Sequence, residues 1–138
     1  MGLPLLPCLL LLIASAATAE PIPFIDGDTI SASGRTMRLV GFDTPEAEMN
    51  AMCEAERTLA ARATDKLRQL VAGGELDLTL VRCSCPRGTE GTQACNYGRA
   101  CGVLRAAGKD VAAVLIAEGL ANPLHCGRDR CPRRQPWC

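Results

Sequence analysis

Eight cysteines stand between Cys53 and Cys138, and no other feature of the sequence restricts the fold so strongly. They are Cys53, Cys83, Cys85, Cys95, Cys101, Cys126, Cys131 and Cys138. In a chain that leaves the reducing cytoplasm, an even set of this density implies four disulfides. A zinc site is the competing reading, but Cys83-Ser84-Cys85 and the series Cys126, Cys131, Cys138 lack the paired C-x2-C spacing of common zinc modules. Disulfides are therefore expected, with their connectivity open, because eight cysteines allow 105 pairings.

The ninth cysteine, Cys8, lies in a stretch that points to export. Residues 1–19 carry no charged side chain, run apolar from Leu9 to Ala14 and end in the small-residue pattern Ala17-Thr18-Ala19. That run is shorter than the ~20 apolar residues a spanning helix needs, so a signal peptide cleaved before Glu20 is expected, rather than a membrane anchor. Residues 20–138 then form one exported domain, secreted or periplasmic, expected to act as a monomer. Aromatic residues make up only 3% of the chain, so its core must be built from Leu, Val, Ile and Ala, and a small aliphatic core benefits from covalent cross-links.

Formal net charge is zero, which excludes gathering nucleic acid by a bulk electrostatic field. Charge is unevenly placed, however. After His125 come Arg128, Arg130, Arg133 and Arg134 against Asp129 alone. This tail is either a phosphate-binding edge or a solvated segment pinned by disulfides.

The apolar stretch Ile22–Ile25, the turn Asp26-Gly27-Asp28, a second turn at Ser33-Gly34-Arg35 and the apolar run Met37–Phe42 predict a β-meander. From Ala51 to Val71, Met52, Ala55, Leu59, Ala63, Leu67 and Leu70 recur at intervals of three and four, with Glu56, Arg57 and Arg68 between them. An amphipathic helix is expected there, capped by Asn50 and stopped at Gly73-Gly74. Leu76, Leu78 and Leu80 alternate as in a strand, residues 82–96 read as a loop held by its own cysteines, and another strand fits Gly98–Ala106. Asp110 is placed to cap a short helix, Val111–Glu118, closed by Gly119. Short strands interrupted by two helices predict an α+β domain built on a small β-barrel.

A single histidine, His125, leaves little for paired-histidine metal sites or a Ser/His/Asp triad, and no glycine-rich phosphate loop is present. Carboxylates and arginines remain. Each cluster has a plain structural explanation: Asp26-Gly27-Asp28 as a turn, Asp43-Thr44-Pro45-Glu46 as a helix start, Arg38 and Arg99 as surface charges. Arg38 is the odd one, a charge at the beginning of an apolar strand five residues before Asp43.

The order and spacing of Asp26-Gly27-Asp28-Thr29, Arg38-Leu39-Val40-Gly41-Phe42-Asp43-Thr44-Pro45-Glu46, Tyr97-Gly98-Arg99 and Glu118-Gly119-Leu120-Ala121 resemble the staphylococcal nuclease (thermonuclease) family. The resemblance runs from about Ile25 to Ala121. It implies an OB-type five-stranded β-barrel carrying two main helices, and a calcium-dependent nuclease acting on DNA, RNA or both. By the family pattern, Asp28 and Asp43 give carboxylate ligands to Ca2+ and Thr44 its backbone carbonyl. Glu46 orients or deprotonates the attacking water, Arg38 and Arg99 hold the phosphate and its developing charge, and Tyr97 helps to bind a substrate phosphate. Oxygen-only donors agree independently with a hard cation, and two carboxylates suit weak binding, with Kd on the order of 10⁻⁴ to 10⁻³ M.

The chain departs from the family at Asn96, where a basic residue is often found, and at His125 and Gly127, which stand where two nucleotide-stacking tyrosines lie. The C-terminal helix of longer members is replaced by the Cys/Arg-rich tail ending Trp137-Cys138. The alternatives are a non-catalytic OB-type module that binds nucleic acid or protein, and a disulfide-rich interaction protein.

Overall fold

Two tight turns at the start of the chain set the geometry of everything that follows. The computed structural model describes residues 24–138, so the leader expected over residues 1–19 lies outside the described residues. Strands β1 (Phe24–Asp26), β2 (Thr29–Ala32) and β3 (Arg35–Leu39) form the predicted antiparallel meander. Between β2 and β3, Ser33 and Gly34 both take positive φ (50° and 72°), the two-residue turn whose twist matches the flanking strands.

The apolar run Met37–Phe42 is not one continuous strand. It breaks at Val40, and after Gly41 (φ 95°) the chain leaves the first sheet as β4 (Gly41–Asp43) to pair with β8 (Asn122–Leu124). Strand β6 (Ala100–Ala106) lies parallel to β3 and antiparallel to β5 (Leu76–Val81), with the short β7 (Lys109–Asp110) on its end. The main sheet thus runs β1-β2-β3-β6-β5, and among the described residues its two ends do not pair to close a barrel. The fold is α+β, with two helices and many disulfides.

Helix α1 (Glu54–Ala72) starts later than the sequence pattern predicts. Asn50 is not its cap; it belongs to a 3-10 turn, Glu48–Asn50, and Cys53 takes the N-cap position without a side-chain hydrogen bond. The Glu56 carboxylate instead reaches back past the N-cap to accept from the Met52 N–H at 2.7 Å, which fixes how the chain enters the helix. The expected apolar face holds at Leu59, Ala63, Leu67 and Leu70, which lie on the core, while Met52 (86%) and Ala55 are exposed and the buried stripe extends to Glu56 and Ala60. Helix α2 (Val111–Ala117) matches the expectation: the Asp110 carboxylate accepts from Ala112 N at 2.9 Å. At its other end Gly119 N and Leu120 N return to Ile116 O and Leu115 O, the hydrogen-bond pair that a left-handed glycine permits.

Both helices pack on the sheet through Ile30, Leu39, Phe42, Leu67, Leu104 and Leu115, an aliphatic core apart from one phenylalanine. A second cluster is made of cystines. Cys85–Cys95 closes the 82–96 loop on itself, and Cys83–Cys101 fastens it to β6. Cys126–Cys131 ties the tail locally, while Cys53–Cys138 anchors its end to the start of α1. All eight cysteines among the described residues are paired, as their even count predicts, and such a set is compatible with an oxidising compartment. Among the described residues no helix is long and apolar enough to cross a membrane.

Candidate metal and phosphate site

Asp28 is held from both sides by backbone. Its N–H donates to the Asp26 carboxylate at 3.2 Å, and its carbonyl accepts from Leu39 N at 2.7 Å, which locks the turn against β3. Gly27 is needed for more than its turn. A Cβ there would stand 3.0 Å from Thr44 Cγ2 and 3.1 Å from Ala63 Cβ, so any larger residue would have to push Thr44 or α1 back by a few tenths of an ångström.

Register places Arg38 opposite Thr29 on the neighbouring strand, beside Asp28. Its Nη1 lies 3.1 Å from Asp28 Oδ2 and its Nη2 3.8 Å from Asp43 Oδ1. The same guanidinium donates to the Leu39 and Phe42 carbonyls at 3.2 and 3.4 Å. The break at Val40 makes this possible, because it swings Asp43 back toward the side chain that precedes it by five residues.

Both carboxylates are removed from water, Asp28 to 5% exposure and Asp43 to 1%. Burial pushes the Asp28 carboxyl up from 3.8 to about 6; Arg38 pulls it down and Asp26 adds to the rise. Asp43 is the more demanding group. Arg134 Nε approaches Oδ1 at 2.7 Å as an ion pair, yet neither oxygen of Asp43 has an aligned hydrogen-bond donor. A buried carboxylate in that condition is costly unless a cation sits against it.

Arg99 reaches the same place from the far end of the 82–96 loop. Asn96, Tyr97 and Gly98 all have positive φ (49°, 56° and 78°), a left-handed run that costs energy at the two non-glycine residues. This bend aims Arg99 at the carboxylates: Nε donates to Asn96 O and Nη1 to Thr29 Oγ1, both at 2.9 Å, and the Thr29 hydroxyl donates on to Asp28 Oδ1 at 3.1 Å. The exposed Tyr97 ring lies under the Arg99 guanidinium, 5.7 Å from its carbon to the ring centre.

Glu46 enters on the loop after β4. Its N–H donates at 3.0 Å to Glu56, whose carboxylate is buried and so holds both this loop and the start of α1. The Glu46 side chain pairs with Arg134 Nη1, and Arg134 Nη2 donates to the Thr44 carbonyl at 3.2 Å.

These contacts join Asp28, Arg38, Asp43, Thr44, Glu46 and Arg99 into one network. Asp28, Arg38, Thr44, Glu46, Tyr97, Arg99 and Arg134 line a single cleft of ≈ 610 Å³. His125 lies outside it, on an adjoining cavity bounded by Val40, Phe42 and the Cys126–Cys131 loop. Asp28, Asp43 and the Thr44 carbonyl are oxygen donors of the kind a hard cation takes, and here they face Arg38 and Arg134. Among the described residues no three His, Cys, Asp or Glu side chains group together as a metal cage.

The sequence pattern missed Glu56, which it assigned to the polar face of α1, and the part played by Gly27, Thr29 and Arg134. Gly27 and Thr29 stood within the Asp26-Gly27-Asp28-Thr29 motif and Arg134 within a cationic tail, but no sequence signal marked Glu56. No protein-family model and no curated protein matches this chain.

Proposed function

We propose that the chain is an exported, calcium-dependent nuclease that hydrolyses phosphodiester bonds of DNA or RNA, acting as a monomer on an OB-type barrel. The observation that carries this reading is the pair of buried carboxylates Asp28 and Asp43, met here by the guanidiniums of Arg38 and Arg134, at the edge of a cleft that presents Arg38 and Arg99. Such a pair favours a hard cation, and two guanidiniums at the same cleft favour an anion next to it. The five-strand path with a parallel β3–β6 pair supports the barrel type, and four disulfides support export.

Asp28, Asp43 and the Thr44 carbonyl would hold a calcium ion, which when bound would supply positive charge to a phosphoryl oxygen. Arg38 and Arg99 donate to the other phosphoryl oxygens, bidentately where both amino groups are free, and their bonds strengthen as charge builds in the transition state. Glu46 accepts the proton of the attacking water. The water oxygen bonds to phosphorus, the P–O5′ bond breaks, the leaving oxygen takes a proton from solvent, and a 3′-phosphate end is released. The test is incubation of purified residues 20–138 with single-stranded DNA, with calcium and then with a chelator. Chelator-sensitive cleavage is expected; DNA left intact at every calcium concentration contradicts the proposal.

A further inference from the structure

Arg134 makes contacts that nothing in the proposed reaction requires. Its three guanidinium nitrogens meet three different acceptors: Nε lies 2.7 Å from Asp43 Oδ1, Nη1 pairs with Glu46 Oε1, and Nη2 donates to Thr44 O at 3.2 Å. Two of these acceptors, Asp43 and the Thr44 carbonyl, are oxygens a calcium ion would need at about 2.3–2.6 Å, and a guanidinium already against them leaves no room for it. Charge opposes joint occupancy as well, since a divalent ion would stand beside a fixed monovalent one in a buried site.

The position of Arg134 is enforced. The segment that carries it runs between the Cys126–Cys131 loop and Cys138, and Cys138 is bonded to Cys53 at the start of α1. Two cross-links keep the side chain at a high effective concentration over the cleft. While Arg134 holds Glu46, one oxygen of that carboxylate is taken by the guanidinium.

We infer that Arg134 is a built-in competitor for the cation site: the tethered tail closes the cleft by placing a guanidinium on Asp43, Thr44 and Glu46, and a divalent cation must displace it. This inference rests on the metal-site part of the proposed function and adds to it an autoinhibitory contact. Calcium then binds only the fraction of molecules in which the tail has swung away, so the apparent Kd exceeds the intrinsic one by that fraction.

The test is calorimetric titration of calcium into residues 20–138 as wild type, Arg134→Ala and the double variant Cys53→Ser/Cys138→Ser. Arg134 is partly exposed, with 42% of its side chain accessible, so its removal leaves folding to the core and the cystines. Arg134→Ala is expected to bind calcium roughly tenfold tighter or more, with the untethered double variant between it and wild type. Equal or weaker calcium affinity in Arg134→Ala overturns the inference, while calcium-dependent DNA cleavage by the same samples keeps the nuclease reading standing. Absence of calcium binding in both wild type and Arg134→Ala overturns both.

Discussion

Replacing Glu56 with glutamine separates the charge of that side chain from its shape. The carboxylate is 4% exposed and its two oxygens are both used, Oε1 by Glu46 N at 3.0 Å and Oε2 by Met52 N at 2.7 Å. Glutamine keeps one acceptor and turns an amide donor toward the other N–H. One charge-assisted hydrogen bond is lost, about 1.5–3 kcal/mol, and a buried donor is left unpaired, about 1–3 kcal/mol more before relaxation. A net cost of about 3 kcal/mol follows, which for a domain of this size lowers Tm by roughly 10 °C. Calorimetry of the oxidised protein in chelator at pH 7 reads it, with Glu54→Gln as the comparison. Glu54 forms an exposed pair with Arg57 on the same helical turn, and its loss should cost less than about 1 kcal/mol. Equal, small shifts for the two variants would refute the claim that Glu56 fastens the Glu46 loop to α1.

Three further outcomes are expected. Arg38→Lys and Arg99→Lys should each lower kcat by roughly 10³-fold in a DNA-cleavage assay, because a single ammonium cannot reproduce the paired donors. Folded Asp28 keeps its proton up to about pH 6, against 3.8 for the free side chain, so its contribution to stability is present below about pH 4 and is lost as pH rises through 6. Calcium needs the ionised form, so affinity measured by titration should fall as pH drops below about 6, by up to about tenfold per unit. Paired Cys→Ser variants should rank by the loop each cystine closes. Losing Cys53–Cys138, with a separation of 85 residues, costs about 4–5 kcal/mol, and losing Cys85–Cys95, with a separation of 10, about 3 kcal/mol, both read by urea unfolding.

Local rules made much of the fold readable. Asp110 and Gly119 bracket α2 because capping is a property of residues adjacent in sequence, and the alternation Leu76, Leu78, Leu80 identifies β5 for the same reason. The start of α1 was misplaced because it is set by tertiary contacts. Glu56 is drawn inward by the N–H groups of Glu46 and Met52, and no periodicity of apolar residues marks a buried carboxylate. The even cysteine count predicts four bridges, yet their pairing depends on which loops fold against which strands. The candidate residues Asp28, Arg38, Asp43, Thr44, Glu46 and Arg99 were visible as ordered motifs, and the geometry brings them together across β2, β3, β4 and two loops. Arg134 was not distinguishable from its neighbouring arginines, because its place over the cleft depends on how the Cys126–Cys131 and Cys53–Cys138 bridges fold the tail back on the domain.

A crystal structure grown with calcium, with anomalous scattering to locate the ion, tests the central claim most directly. The account predicts one peak in the cleft, about 2.3–2.6 Å from carboxylate oxygens of Asp28 and Asp43 and from the Thr44 carbonyl, with Arg134 moved off those oxygens. A cleft still without calcium at concentrations well above those at which calcium-dependent cleavage saturates, with Arg134 still on Asp43, would contradict it.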